Sequence, residues 1–165
     1  MQYDLAEDFE RELSAYSHVP GLIEHVRGAC GAEQGASLVG QQPIAAYLIR
    51  QTDAVFSAYA LTETSFVVAE MSASGATLAV WIDQSRIARI YEIVDGGERL
   101  VGIEIEADAR RIEISERGRG EEEAGRWASE ASSTGRVVPA SYELRGKVEE
   151  RSLTWFALQL RRLGR

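Results

Sequence analysis

From Ile44 onward the chain is a succession of short apolar runs separated by turn residues, with no helix-length segment between them until about Glu149. The runs are Ile44 to Arg50, Val55 to Leu61, Ser65 to Met71, Ala76 to Ile82, Ile87 to Val94, Leu100 to Glu106, Arg111 to Ser115 and Val137 to Leu144. Strands that follow one another this closely join through hairpins, so an antiparallel sheet is expected rather than a parallel α/β one. Several runs alternate. Val101, Ile103 and Ile105 share one face of their run, and Glu104 and Glu106 share the other. Arg111-Ile112-Glu113-Ile114 behaves alike, the pattern of a strand with one face on the core and one in water.

The turns are legible between the runs. Thr52-Asp53, Thr62-Glu63-Thr64 and Ala107 to Arg110 are short connections, and Ser72-Ala73-Ser74-Gly75 offers a glycine for a positive φ. Asp95-Gly96-Gly97-Glu98 is the strongest hairpin signal. Gly118 to Gly135 is too long for a hairpin loop and is rich in Gly, Glu, Ser and Ala around a single aromatic, Trp127. It is expected to be a mobile loop.

Helices are expected at both ends. Asp4 with Glu7 matches a capping box, and Leu5, Phe9, Leu13 and Tyr16 follow at helical spacing. Pro20 suits the first turn of a second helix with Leu22, Ile23, Val26 and Cys30 on its apolar stripe, weakened by Gly28 and ended by Gly31. Near the C-terminus, Leu153, Phe156, Ala157, Leu160 and Leu163 form one stripe of a helix from Glu149 to Leu163, set to cover the β-core. Trp155 and Leu158 point to the opposite side of that wheel, toward the N-terminal helices or a second molecule.

Composition bounds the function. Of 165 residues 45 % are hydrophobic, enough for one core, and the formal net charge of −8 opposes polyanions and anionic membranes. The charge is uneven: Arg145 to Arg165 holds six basic residues against Glu149 and Glu150, a net +4 that leaves −12 on the rest. Lys147 is the sole lysine against 17 arginines, a bias that suggests a GC-rich genome. Cys30 is the sole cysteine, which rules out an intrachain disulfide and fits a reducing compartment. Acidic residues occupy the place of a signal peptide's apolar stretch, and no apolar run nears the roughly 20 residues that span a bilayer. A soluble, cytoplasmic protein that binds neither membrane nor nucleic acid is expected.

Chemistry-bearing motifs are scarce. His18, His25 and Cys30 match no zinc spacing, so no metal site is expected. No Gly-x-Ser-x-Gly elbow, Walker loop or dinucleotide fingerprint occurs. The Arg117-Gly118-Arg119-Gly120 stretch is cancelled by Glu121-Glu122-Glu123. Glu104, Glu106 and Glu113 are expected on a solvated strand face, balanced by Arg89, Arg110 and Arg111. Convergence of Glu104, Glu106, Asp108 and Glu113 would instead suit a hydrolase using a divalent cation. A cavity inside the β-core would suit a small ligand.

The runs Tyr59-Ala60-Leu61-Thr62-Glu63-Thr64-Ser65-Phe66-Val67-Val68 and Ala79-Val80-Trp81-Ile82-Asp83-Gln84-Ser85-Arg86-Ile87, with the terminal helix around Trp155 and Phe156, resemble bacterial pleckstrin-homology and GRAM-like domains. Pro20 to Val68, with Leu48-Ile49-Arg50-Gln51 and Leu61-Thr62-Glu63-Thr64, is similar to an uncharacterised actinobacterial family. The resemblance covers Ile44 to Leu163 at fold level. It implies an α+β fold: a PH-like bent antiparallel β-sandwich or barrel of about seven strands, capped by a C-terminal helix and preceded by one or two N-terminal helices. The implied domains are a helical extension over 1–43 and the PH-like domain over 44–165. The first hairpin loop, Arg50-Gln51-Thr52-Asp53, has one basic residue, so phosphoinositide binding is not expected. The functional expectation is a non-catalytic module that needs no cofactor and binds another protein or itself, with a homodimer as one form. Its candidate binding residues are Trp127, Trp155, Leu158, Arg161 and Arg162.

Overall fold

The computed structural model describes residues 4–33, 36–51, 55–94, 100–107, 110–115, 136–139 and 153–163. Two helices open the chain, α1 (Ala6–Ser14) and α2 (Leu22–Ala29). Eight strands follow: β1 (Ile44–Gln51), β2 (Val55–Thr62), β3 (Ser65–Ser72), β4 (Thr77–Asp83), β5 (Ile87–Val94), β6 (Leu100–Ala107), β7 (Arg110–Ser115) and β8 (Arg136–Pro139). The last helix is α3 (Leu153–Leu163). No helix among the described residues is long and apolar enough to cross a membrane.

The strands are antiparallel, as expected, but they form neither a sandwich nor a barrel. They make two open four-stranded sheets, ordered β1-β2-β3-β4 and β7-β6-β5-β8. The PH-like closure inferred above is therefore corrected. Between β4 and β5 the chain makes one 3₁₀ turn, Gln84–Arg86, and β5 starts a new sheet instead of extending the first. That turn is tightly specified. The Ser85 N–H and hydroxyl both donate to Asp83 Oδ1 (2.9 and 2.7 Å). The buried Gln84 amide donates to the Thr62 carbonyl at 2.6 Å, and the Gln84 N–H donates to the Thr64 carbonyl at 2.8 Å. The end of β4 is thereby held against the β2–β3 corner.

The strand register sorts the side chains of the first sheet. Tyr47, Phe56, Ala58, Ala60, Val67, Ala69 and Met71 lie on one face. Phe9 of α1 stacks on Tyr47 with centroids 4.6 Å apart, and Tyr16 meets Phe56 edge-on at 4.8 Å. The N-terminal helices thus cover this face, and the small Ala58, Ala60 and Ala69 leave room for them. The opposite face carries Leu48, Tyr59, Phe66 and Val68, and Phe156 of α3 lies against Tyr59 and Phe66 at 6.4 and 6.3 Å. With both faces covered, all eight residues of β2 and seven of eight in β3 are buried. Antiparallel strands then read as continuous apolar runs rather than as alternation.

Helix α3 contacts β1 and β6, and so joins the two sheets. In the second sheet, Ile103, Ile105, Ile112 and Ile114 share the core-side face, and Phe9, Leu13, Leu22 and Val26 belong to the same hydrophobic cluster as these isoleucines.

The start of α1 departs from the capping-box reading. Leu5 takes the cap position, while Asp4 Oδ1 accepts from the Ala6 N–H (3.0 Å) and the Ile44 N–H (3.2 Å). Together with the Leu5 N–H on the Ile44 carbonyl (2.8 Å), this ties the first residues to the outer edge of β1. Gly21 (φ 77°) precedes α2 and Gly31 (φ 90°) follows it, so the expected helix end at Gly31 is present. The Ser72–Gly75 turn has Gly75 at φ 93°, with its N–H on the Ser72 carbonyl (2.9 Å). The expected turns at Thr52-Asp53 and Asp95 to Glu98, and the loop from Gly118 to Gly135, lie outside the described residues.

Candidate functional site at the outer edge of β4

Strand β4 has the composition of a core strand and the position of an edge strand. Its sequence Leu78-Ala79-Val80-Trp81-Ile82 is apolar throughout. β2 and β3 are buried by strands on either side, but β4 has β3 on one side and no strand on the other among the described residues. Thr77, Leu78, Ala79 and Trp81 are exposed. Trp81 is 57 % exposed and Leu78 44 %; with Val39, they are the large apolar residues exposed among those described. Proteins blunt sheet edges with lysine, proline, bulges or inward charges. β4 has none of the first two, and its register with β3 runs without a shift from Met71↔Thr77 to Ser65↔Asp83.

The backbone groups that β4 offers outward follow from two fixed points. The Ser72 N–H donates to the Ala76 carbonyl (2.8 Å) at one end, and the Gln84 N–H to the Thr64 carbonyl (2.8 Å) at the other. Antiparallel alternation between them turns Leu78, Val80 and Ile82 toward β3 and directs Thr77, Ala79 and Trp81 outward. The Leu78 carbonyl also lies 3.0 Å from His25 Nε2, which ties α2 to this strand. Trp81 shares the α2-side face of the sheet with Ala79 and Thr77, opposite Val67, Ala69 and Met71.

The residues expected to bind are distributed differently. Trp155 is buried at 6 % exposure, which fits packing inside the chain, one of the two placements expected for it. The cause is the placement of α3 between β1 and β6, which buries more than one stripe of the helix. Leu158 is half-buried and Arg162 exposed. Trp127 and the side chain of Arg161 lie outside the described residues. Sequence reading missed Trp81 and Leu78, because a run of five apolar residues looks the same in a central strand and in an edge strand.

The acidic strand face is also rearranged. Register places Glu104 between Tyr91 on β5 and Glu113 on β7, and Glu106 beside Arg111 and Arg89. Glu104 is not solvated: it is 3 % exposed, with Arg111 Nη1 at 3.5 Å. Glu106 and Glu113 are half-buried. Among the described residues no group of three or more His, Cys, Asp or Glu could hold a metal ion, and Asp108 lies outside them. Burial raises the Glu104 pKa, Arg111 opposes the rise and Glu106 adds to it. A carboxyl whose folded pKa exceeds its unfolded value stabilises the fold while protonated, and that contribution is lost as pH rises through the folded pKa. Unfolding midpoints measured from pH 4 to 8 are therefore expected to fall less in Glu104→Gln than in the wild type. An identical pH slope in both would contradict this.

Cys30 is buried, and withdrawal from water, with the Glu10 charge adding, pushes its thiol up to about 12. Glu10 itself serves structure. It accepts from Arg27 Nε (2.9 Å) and Nη2 (2.6 Å) and from the Leu38 N–H (2.9 Å), which bind α1, α2 and the chain after α2 together. A thiol so raised is a poor nucleophile at neutral pH. With an aromatic disulfide reagent at pH 8, Cys30 is expected to react only after denaturant is added. Stoichiometric reaction of the native protein within minutes would refute this.

A cleft of about 150 Å³ lies where α1 and α2 meet the sheet, lined by residues that include Tyr16, Leu22, Phe56 and Met71. Pockets that enclose a small organic ligand hold roughly 300 Å³ or more. Comparison of the chain with family models, with curated proteins and with solved structures finds no match.

Proposed function

We propose that this chain is a non-catalytic protein-interaction module, and that it binds by adding an extended segment to the outer edge of β4. The observation that carries the reading is the pairing of a regular strand edge, open among the described residues, with the exposed Trp81 and Leu78. Strand addition draws affinity from backbone hydrogen bonds and specificity from alternate side chains. The outward groups of Thr77, Ala79 and Trp81 supply the first, and Trp81 is a large aromatic anchor of the kind enriched at binding hot spots. A cytoplasmic location is part of the proposal, supported by a lone, buried and unpaired cysteine thiol.

Ala79→Pro tests the reading. The Ala79 N–H points away from β3, so proline removes an outward donor and leaves the β3–β4 ladder in place. The variant is expected to keep the wild-type circular dichroism and unfolding midpoint. In affinity capture from extracts of the source cells, with the chain itself as bait, at least one protein should be retained by the wild type and lost by the variant. Capture of the same set by both would overturn the proposal.

A further inference from the structure

The β4 edge is complementary to itself. We infer that a second copy of this chain occupies it, its β4 running antiparallel to the first, so that two four-stranded sheets become one continuous sheet of eight strands. The inference rests on the reading of β4 as a docking edge and names the partner.

The sequence of the strand selects the register. Full overlap of Thr77–Asp83 with a second Thr77–Asp83 places Val80 against Val80 at the twofold axis, Ala79 against Trp81, Leu78 against Ile82, and Thr77 against Asp83. Hydrogen-bond parity is satisfied. Ala79 and Trp81 both present their backbone groups outward, so they form exchanging pairs across the axis, and the inward-turned Val80 falls at a non-bonded pair. Size is complementary, because the exposed Trp81 of each copy faces the small Ala79 of the other on the same side of the sheet. Charge is complementary too. Asp83 is the sole ionisable residue of the strand, and this register sets it opposite Thr77 rather than opposite the second copy's Asp83. Like charges directly opposite each other are destabilising in a sheet, and none meet here. The Asp83 carboxylate is already turned onto Ser85, which leaves the edge clear. The edges at β1 and β7 lack this combination. β1 is occupied at Ile44 by Asp4 and Leu5, and β7 carries Arg110, Arg111 and Glu113.

Sedimentation equilibrium of the full chain, over micromolar to high-micromolar concentration, reads the outcome. The wild type is expected as a concentration-dependent dimer and Ala79→Pro as a monomer, with an unfolding midpoint equal to that of the wild type at concentrations low enough for the wild type to be monomeric. The register is tested at Thr77, an exposed position. Thr77→Lys creates two opposite-charge cross-strand pairs with Asp83 and should tighten the dimer by about 2- to 30-fold. Thr77→Asp creates two like-charge pairs and should weaken it by a similar factor. A wild type that stays monomeric throughout, or a dimer that is unmoved by Ala79→Pro, overturns the inference. A dimer sensitive to Ala79→Pro but with no opposite response of the two Thr77 variants overturns the register. If the wild type is monomeric yet captures a protein that Ala79→Pro loses, the occupant is an extended segment of a different protein. In that case the module reading stands while self-pairing fails.

Discussion

Phe156→Ala is expected to cost about 3–5 kcal/mol of stability, the usual range for deleting a fully buried Phe ring. Phe156 is 0 % exposed and lies with Tyr59 and Phe66 on the face of the first sheet that α3 covers. Its helix also contacts β6, so the loss is felt where the two sheets are joined and not at a local surface. A domain of this size has a total stability of about 5–15 kcal/mol, and the variant should be close to the edge of folding. Urea unfolding followed by tryptophan fluorescence measures the change directly. Phe156→Leu, which retains most of the volume, should recover the greater part of it. A shift below about 1 kcal/mol for Phe156→Ala would mean that α3 does not hold the sheets together.

Phe9→Ala probes the opposite face of the same sheet, and the expected cost is again about 3–5 kcal/mol. The Phe9 ring is 0 % exposed and stacks on Tyr47 at 4.6 Å with an interplanar angle of 15°. Leu13, Leu22 and Val26 sit in the same cluster as the sheet residues, so weakening α1 should lower one cooperative transition rather than release a separate helical unit. Two transitions in the variant, with the second unchanged from the wild type, would show that the N-terminal helices unfold independently. Amide exchange along Leu22–Ala29 supplies a second readout, because α2 is linked to α1 through Glu10 and Arg27.

Local structure was legible in the sequence, because it depends on short-range pattern. Each strand begins within a residue of its expected start, and Gly31 and Gly75 occupy the positive-φ positions that their surroundings demand. Sheet closure was not legible, because it depends on how β4 hands over to β5. The Gln84 side chain decides that by reaching back to the Thr62 carbonyl, a contact across 22 residues that no periodicity announces. The helical wheel places Trp155 opposite the main apolar stripe, and it is buried nonetheless, because α3 contacts a strand of each sheet. The burial of Glu92 was not legible either. This residue falls on the isoleucine-lined face of the second sheet, opposite Ile103, and is 0 % exposed, whereas sequence alternation favours charge in water. Of the candidate site, the strand itself was recognised but its edge position was not, since strand order within a sheet is not written in the strand.

The place of α3 also shapes how the chain is made. Ile103 and Ile105 leave the ribosome ~50 residues before Phe156 and Leu160, which at about 5–20 residues per second is an interval of roughly 3–10 s. Through that interval the face of the first sheet that carries Tyr59 and Phe66 lacks the helix that covers it. Nascent chains of this protein should therefore be clients of the cell's holding chaperones until translation reaches the last helix, and slow codons between β8 and α3 would lengthen their exposure.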